Sequence, residues 1–250
     1  MKCALGAALA CGAALFATAA IADPRLDEKV YLPTVETHVL ELETRLGSEA
    51  GGPLGGADTF VGELEYGVNK RLSLALVGTA SNDPHRDMTW RGVGVEGVYT
   101  LGKIPLTGID TAAYVEYTRG LNGESDGLEA KLLAARRFGP VRAVLNLIAE
   151  RPLGGGQADD VTYGYAAAAT VRAIGRLRIG AEAFGDLGSD HAFLRGRQGA
   201  YLGPAAQWEW RPHGSPVEFD FDIGWLKALA ADRAEADSQI RLGLEIEKPF

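Results

Sequence analysis

The residues most able to support chemistry in this sequence are its histidines. His213 is two positions before Ser215, and Asp190 directly precedes His191, so imidazoles stand near a hydroxyl and near a carboxylate, the groups that nucleophilic catalysis uses. His213 follows Pro212 in a short polar connector, and the Asp190–His191 pair belongs to a loop that contains glycine and serine. A polar turn and a solvated loop account for both arrangements. The sequence therefore predicts no catalytic residues and no enzyme.

Metal and cofactor chemistry also has little support. The two cysteines, Cys3 and Cys11, lie in the first dozen residues, and a single methionine, Met88, remains after residue 22. Soft metals need clustered thiolate, thioether or imidazole ligands. The glycine-rich stretches 51–56 and 154–156 lack the strand-to-helix setting of a phosphate loop. The net charge of −8 is spread along the chain, so we predict no metal, no cofactor and no nucleic-acid partner.

The first 22 residues have the pattern of a secretory signal that is removed on export. Lys2 gives a positive start, an alanine-rich apolar run follows, and Ala20 and Ala22 supply the small residues of a cleavage site. We therefore predict a cleaved signal peptide over 1–22.

Runs of about ten residues with apolar side chains at every second position recur along the rest of the chain. Such alternation predicts strands that are apolar on one face, and about ten residues suffice to cross a bilayer when a strand is tilted. We identify about twelve runs, an even number: 35–46, 58–69, 71–81, 89–101, 108–119, 127–138, 141–151, 161–173, 177–187, 200–211, 216–227 and 239–250.

The connectors between these runs alternate between short turns and longer, glycine-rich loops. This asymmetry is typical of an up-and-down barrel whose short turns face the periplasm. We predict an all-β fold, a transmembrane up-and-down antiparallel β-barrel of about twelve strands over 35–250. A short periplasmic N-terminal segment, 23–34, would precede the barrel.

Alternation alone is also compatible with a soluble sheet or with a barrel that has an apolar interior. The aromatic residues decide between these folds, because they gather near both ends of the strands with aliphatic residues between them. Two lipid–water interfaces select this distribution. We predict a membrane-interface girdle, in contact with outer-membrane lipid, formed by Phe60, Tyr66, Tyr99, Tyr117, Phe138, Tyr163, Trp208, Trp210, Phe219, Trp225 and Phe250.

The last twelve residues, 239–250, form an alternating strand that ends in the aromatic Phe250. This strand must pair with the first one, because unpaired backbone groups are costly in hydrocarbon. Alternating apolar residues before a terminal aromatic also resemble the insertion signal of Gram-negative outer-membrane proteins, which implies the barrel-assembly machinery as a partner. Pro249 departs from the usual ending and removes one donor from the strand ladder.

Six stretches, taken in order, resemble a family of exported proteobacterial (Gram-negative) outer-membrane β-barrel proteins. They are KVYLPTVE (29–36), ELEYGVNKRLSL (63–74), LNLIAER (145–151), AEAFGDLG (181–188), YLGPAAQWEW (201–210) and the C-terminal strand. The resemblance covers much of the chain after residue 22. It implies a barrel fold and a location in the cell outer membrane, and it brings no catalytic residues with it.

The polar face of the strands would line the barrel interior. Eight charged residues at inward, mid-strand positions are candidates for a constriction: Glu63, Glu65, Glu116, Glu129, Lys131, Arg142, Glu182 and Asp220. Side chains fill an eight-stranded barrel, whereas sixteen strands leave a water channel, and about twelve lie between these cases. Two outcomes stay open at this point: a closed network of paired charges, or a narrow channel biased toward carboxylates.

We expect a narrow passive channel for small hydrophilic solutes with a mild preference for cations. The alternative is a closed structural or surface-interaction barrel that works through its extracellular loops. A lipid A or phospholipid hydrolase comes third, because the spacing of His213 and Ser215 resembles that of lipid A deacylase barrels. Those enzymes act at the outer surface, whereas this pair belongs to a predicted periplasmic turn. The sequence leaves the oligomeric state open.

Overall fold

The computed structural model describes residues 26–154, 160–195 and 198–250. Over these ranges the chain forms twelve strands and one short 3₁₀ helix at Asp232–Ala234. The strands are β1 (Val39–Ala50), β2 (Asp58–Gly67), β3 (Leu72–Asn82), β4 (Thr89–Ile104), β5 (Ile109–Gly120), β6 (Asp126–Phe138), β7 (Val141–Leu153), β8 (Thr162–Ile174), β9 (Leu177–Ser189), β10 (Gly199–Trp210), β11 (Glu218–Ala230) and β12 (Ser238–Pro249). In these ranges no helix is long and apolar enough to cross a bilayer.

The twelve strands close into a single antiparallel barrel. Each strand pairs with its neighbours in sequence, and β1 pairs with β12 over its whole length, from Val39–Pro249 to Ala50–Ser238. Closure leaves no free sheet edge, so the backbone groups are paired without water. The predicted fold and strand number are confirmed. The largest difference in strand bounds concerns β1, which begins at Val39 rather than at 35 because His38 turns the chain with a φ of 59°.

The outer surface of the barrel is apolar and its inner surface is polar. Leu76 and Val95 point outward and are 61% and 53% exposed, whereas Glu63 and Glu96 point inward and are 2% and 4% exposed. Soluble proteins bury their aliphatic side chains and expose their charges. The reverse arrangement is that of a barrel surrounded by lipid.

The eleven aromatic residues predicted for the girdle lie on the outer face of the barrel or at its rim. Near the short-turn end, Trp208 stacks on Phe221 with ring centroids 5.5 Å apart, and Trp210 packs on Phe219 at 5.2 Å. Near the long-loop end, Phe60 meets Trp90 edge-to-face at 6.4 Å. The rings therefore form two bands separated by aliphatic residues.

Trp90 belongs to the outer band although the sequence pattern did not predict it. Strict alternation from Val93 and Val95 would turn Trp90 inward. A register shift between β3 and β4 pairs Thr79 with Gly92 but Ala80 with Trp90, so one extra residue of β4 is accommodated. Such a bulge reverses the face of every residue beyond it.

The segment that precedes β1 lies inside the barrel. The predicted signal peptide, 1–22, and residues 23–25 fall outside the described residues. From residue 26 onward, the segment predicted to be periplasmic runs along the lumen. It starts at Leu26, which lies beside Gly47 in the half of β1 near the long loops. It reaches the short-turn end at Pro33, whose carbonyl accepts a hydrogen bond from Thr100 at 3.4 Å. Its location in the lumen differs from the expectation, because the barrel wall offers hydrogen-bond and charge partners that alternation does not reveal.

Candidate functional site

Asn146 holds the backbone of the N-terminal segment (residues 26–35) to the barrel wall with two hydrogen bonds. The Tyr31 amide donates to Asn146 Oδ1 at 2.7 Å, and Asn146 Nδ2 donates to the Tyr31 carbonyl at 3.0 Å. Asn146 is an inward residue of β7 and is fully buried. Its amide completes the backbone hydrogen bonding of a residue that has no strand neighbour, as buried backbone groups require.

The Tyr31 ring fills a gap left by small residues of the wall. It packs on the ring of Tyr114 at a centroid distance of 4.8 Å and joins an apolar cluster with Val98, Ala112 and Leu133. Ala112 and Leu133 are completely buried. The segment therefore supplies part of the core that this side of the lumen would otherwise lack.

Lys131 of β6 connects the wall to the segment by charge. Its Nζ lies 2.5 Å from Glu28 Oε1 and 2.9 Å from Glu129 Oε1, and it lies 4.5 Å from the centre of the Tyr31 ring. The Lys131 side chain is 3% exposed. Of the residues predicted for a constriction, Lys131 thus binds the N-terminal segment, and Glu129 binds Lys131.

A second group of charges surrounds Lys29 on the opposite side of the segment. Lys29 Nζ forms an ion pair with Glu43 and lies 3.8 Å from Glu63 Oε1. Arg45 Nη1 lies 3.1 Å from Glu43 and 3.3 Å from Glu63. Glu63, another predicted constriction residue, is therefore paired with cations from both the segment and the wall.

Carboxylates accumulate beside this group on β2, β4 and β5. One carboxylate oxygen from each of Glu63, Glu65 and Glu96 lies within 4.8 Å of the others. The Tyr114 hydroxyl lies 2.8 Å from Glu96 Oε2 and 2.6 Å from Glu116 Oε2. Because a phenol donates one proton, it satisfies one of these two carboxylates at a time.

A polar cavity of about 460 Å³ remains in the lumen. It reaches the short-turn end, and four predicted constriction residues contribute to its wall: Glu65, Arg142, Glu182 and Asp220. Among the described residues that line it, eleven are carboxylates and five are cationic: Glu36, Glu41, Glu43, Glu65, Glu182, Glu209, Glu218, Asp220, Asp222, Glu245 and Glu247, against Lys29, Arg45, Arg137, Arg142 and Arg241. The cavity is therefore biased toward negative charge.

The half of the lumen near the long-loop end is packed with side chains. Phe184, Tyr201 and Leu226 are at most 1% exposed and form a cluster with Ile148, Ala166 and Ala228, against which Val30 of the segment packs. Above the cluster, Tyr201 and Gln239 both donate to Glu49 Oε1, at 3.1 and 2.8 Å. In this conformation the cavity is therefore closed toward the long-loop end.

All eight residues predicted for the constriction face the lumen, but they do not form one ring. Glu63 and Lys131 contact the N-terminal segment, Glu129 contacts Lys131, Glu116 contacts Tyr114, and the other four residues line the cavity. The sequence prediction missed Tyr31, Lys29 and Glu28, which hold the segment in place. The signal that could have revealed them is their mixture of charge and aromatic character in a stretch too short to form a domain.

The histidines considered for catalysis lie in exposed positions. His191 Nε2 lies 3.3 Å from Asp160 Oδ1, and His191 Nδ1 lies 4.0 Å from Asp190 Oδ1. The His191 side chain is 75% exposed. His213 is exposed in the short turn between β10 and β11, where Ser215 Oγ accepts from the Val217 amide at 3.0 Å. Ser215 thus has a local structural partner.

Comparison with known proteins identifies the fold. No protein-family model and no curated protein sequence matches the chain. Among solved structures, the KdgM porin matches with a TM-score of 0.53 and 9% identity, covering 84% of this chain and 99% of the porin. An outer membrane channel from Pseudomonas putida F1 matches with a TM-score of 0.57 and 12% identity, covering 89% of this chain and 97% of the channel. The chain therefore has the fold of outer-membrane barrels.

Proposed function

We propose that this protein is an outer-membrane barrel that forms a narrow passive channel for small hydrophilic solutes, with a mild preference for cations. The observation that carries the proposal is the polar cavity of about 460 Å³ inside a barrel with an apolar exterior. A cavity lined by eleven carboxylates and five cationic groups lowers the free energy of a cation inside it relative to an anion. Neutral polar solutes meet hydrogen-bonding groups on every wall.

In this proposal the N-terminal segment acts as the gate. Val30 packs against the apolar cluster that closes the extracellular half, and Leu26 lies beside β1 at that level. Displacement of the segment would remove the Val30 contact and widen the existing cavity, whose wall includes Val30 and Tyr31. The barrel wall does not depend on the segment for its backbone hydrogen bonds, because all twelve strands pair with one another.

Recording in planar lipid bilayers tests the channel. We expect rare, small openings from the protein that starts at residue 23, and larger, longer openings from a variant that lacks residues 26–34. In a salt gradient the reversal potential of the deletion variant should show that cations permeate more readily than anions. The double substitution Asp220→Asn and Glu247→Gln, which removes two cavity carboxylates, should move the reversal potential toward zero without reducing the number of insertions.

The closed barrel is the second candidate, and the packed extracellular half favours it. The loop that follows β11 folds over this end: the Leu54 amide donates to the Glu235 carbonyl at 2.9 Å, and the Asp237 amide donates to the Ala50 carbonyl at 2.9 Å. Electrical silence from both the full-length and the deletion proteins, across many insertions, would reject the channel and support this reading.

The route to the membrane belongs to the same proposal. A signal peptide over 1–22 would direct export, and the barrel-assembly machinery would recognise the C-terminal strand. In support, Phe250 is 71% exposed at the end of β12, and its amide donates to the His38 carbonyl at 2.8 Å, next to the closing seam. An exposed terminal aromatic beside the last strand to close is available for recognition before closure.

A further inference from the structure

The carboxylates of Glu63, Glu65 and Glu96 converge because of the register of three strands. Glu65 pairs with Ala75 of β3, and Ala75 pairs with Glu96 of β4, so two glutamates flank a small residue on one face of the sheet. Glu63 lies two positions before Glu65 on the same inward face of β2. Ala75 is too short to separate them, and one oxygen from each glutamate lies within 4.8 Å of the other two.

These carboxylates are buried with less compensation than their charge requires. Glu63 is 2% exposed and Glu96 is 4% exposed, and one oxygen of each, Oε1, accepts no hydrogen bond. The only ion-pair partners described for the three residues are Arg45 and Lys29, both on Glu63, and Lys29 Nζ lies 3.8 Å from the unbonded oxygen. Buried carboxylates without a cation are strongly destabilising. Because Lys29 already lies beside Glu63 Oε1, the unbonded Oε1 of the buried Glu96, for which no cation is described, is the atom that indicates a missing positive partner.

We propose that Glu63, Glu65 and Glu96 form a binding site for a divalent cation of the calcium type. Hard divalent cations prefer oxygen ligands, and Ca²⁺ accepts several carboxylates in irregular geometry. This site differs from the metal chemistry considered in the sequence, which concerned soft ligands. An ion can reach it, because Glu65 and Ser73 also line the polar cavity that extends to the short-turn end.

Lys29 of the N-terminal segment competes with the cation in this site. Its ammonium group is held by Glu43 and stands at the edge of the triad through its 3.8 Å approach to Glu63. A divalent cation bound by Glu63 would repel this group. Removal of the Lys29 charge should therefore raise the affinity for the cation, whereas removal of a glutamate should lower it.

Terbium luminescence gives a direct readout of binding in the full-length barrel in detergent, since Tb³⁺ occupies calcium sites and is excited by nearby tyrosines. The Tyr114 hydroxyl lies 2.8 Å from Glu96, which places a donor ring next to the site. We expect saturable Tb³⁺ emission that Ca²⁺ displaces. Glu96→Gln and Glu63→Gln should each weaken Tb³⁺ and Ca²⁺ binding by at least about 10- to 100-fold, because loss of a partner outside the ligand shell already costs that much and each variant removes a ligand.

Two further variants make the test decisive. Lys29→Met should bind the cation more tightly than the native protein, by about tenfold, since one competing charge is removed. Glu49→Gln is the matched control, because it removes a buried lumen carboxylate that lies outside the cavity, where it accepts from Tyr201 and Gln239, and it should leave the affinity unchanged. Heat-dependent migration in gels reports whether each barrel is folded. If Glu96→Gln or Glu63→Gln does not fold, Glu65→Gln is tested in its place.

The proposal is overturned if the folded native protein binds neither Tb³⁺ nor Ca²⁺ at millimolar concentrations. It is also overturned if the glutamate variants of the triad bind as well as Glu49→Gln does. The measurement involves no conductance, so a silent barrel that binds calcium would reject the channel and leave this site intact.

Discussion

Replacement of Asn146 by leucine tests whether the N-terminal segment is held by the contacts seen at Tyr31. The Asn146 amide makes two hydrogen bonds to the Tyr31 backbone, at 2.7 and 3.0 Å, and leucine retains the volume while removing both. Each bond contributes about 0.5–1.5 kcal/mol net, so the pair stabilises the docked segment by about 1–3 kcal/mol. Its loss should shift the equilibrium toward the undocked segment by about 5- to 150-fold.

Thiol labelling measures this equilibrium without reference to conductance. The sequence contains no cysteine after Cys11, so Leu26→Cys adds a single thiol to a protein expressed from residue 23, at a position that is 7% exposed in the docked segment. The labelling rate should rise with the undocked population, by the same 5- to 150-fold. An unchanged rate in a folded Asn146→Leu barrel would show that these hydrogen bonds do not hold the segment.

A matched control separates the Tyr31 contact from a general effect of leucine in the lumen. Gln207 is also an inward amide side chain, but it accepts a hydrogen bond from Arg142 at 2.8 Å and lines the cavity. Gln207→Leu should leave the labelling rate of Leu26→Cys within about twofold of the parent. Equal acceleration by both substitutions would mean that the lumen as a whole has loosened, and the reasoning from Asn146 would fail.

Two substitutions probe the barrel itself. In Gly203→Ala the added Cβ would lie 1.9 Å from the Trp225 carbonyl oxygen, so we expect the free energy of unfolding in urea to fall by about 1–3 kcal/mol. Gly127→Ala is the control, because nothing lies within 4 Å of its added Cβ and its stability should change little. Equal losses in the two variants would contradict the close approach of β10 and β11. Phe250→Ala should lower the amount of barrel assembled in outer membranes while refolding into detergent stays normal, and normal assembly would count against recognition of the C-terminal strand.

The barrel was predictable because its physical requirement repeats along the whole chain. A strand in a lipid-exposed barrel must be apolar on alternate residues over its full length, so β7 and β12 show the same pattern as every other strand. Closure followed from the cost of a free edge in hydrocarbon, and the pairing of Val39 with Pro249 meets that requirement. The inward direction of Glu63 and Arg142 then follows from the two-residue period alone.

Departures from a regular repeat were not predictable in this way. The outward position of Trp90 depends on one extra residue in β4, and a bulge leaves no mark in an alternating pattern. The N-terminal segment depends on contacts with residues more than one hundred positions away, such as Asn146 and Lys131. Its own sequence shows neither alternation nor helical period, so local patterns cannot distinguish a segment inside the lumen from one outside.

The width of a twelve-stranded barrel explains why such a segment is present at all. Ala112 and Ala166 point inward and are completely buried, although neither side chain reaches far from the wall. Their burial requires another group in the lumen, and Tyr31 covers Ala112 while Val30 packs on the cluster that contains Ala166. The segment therefore contributes to the packing of the lumen. It contributes nothing to the backbone hydrogen bonds of the sheet, which are complete without it. In a barrel of this kind the N-terminal segment can leave the lumen while the twelve-stranded sheet stays intact, and a gate requires this independence.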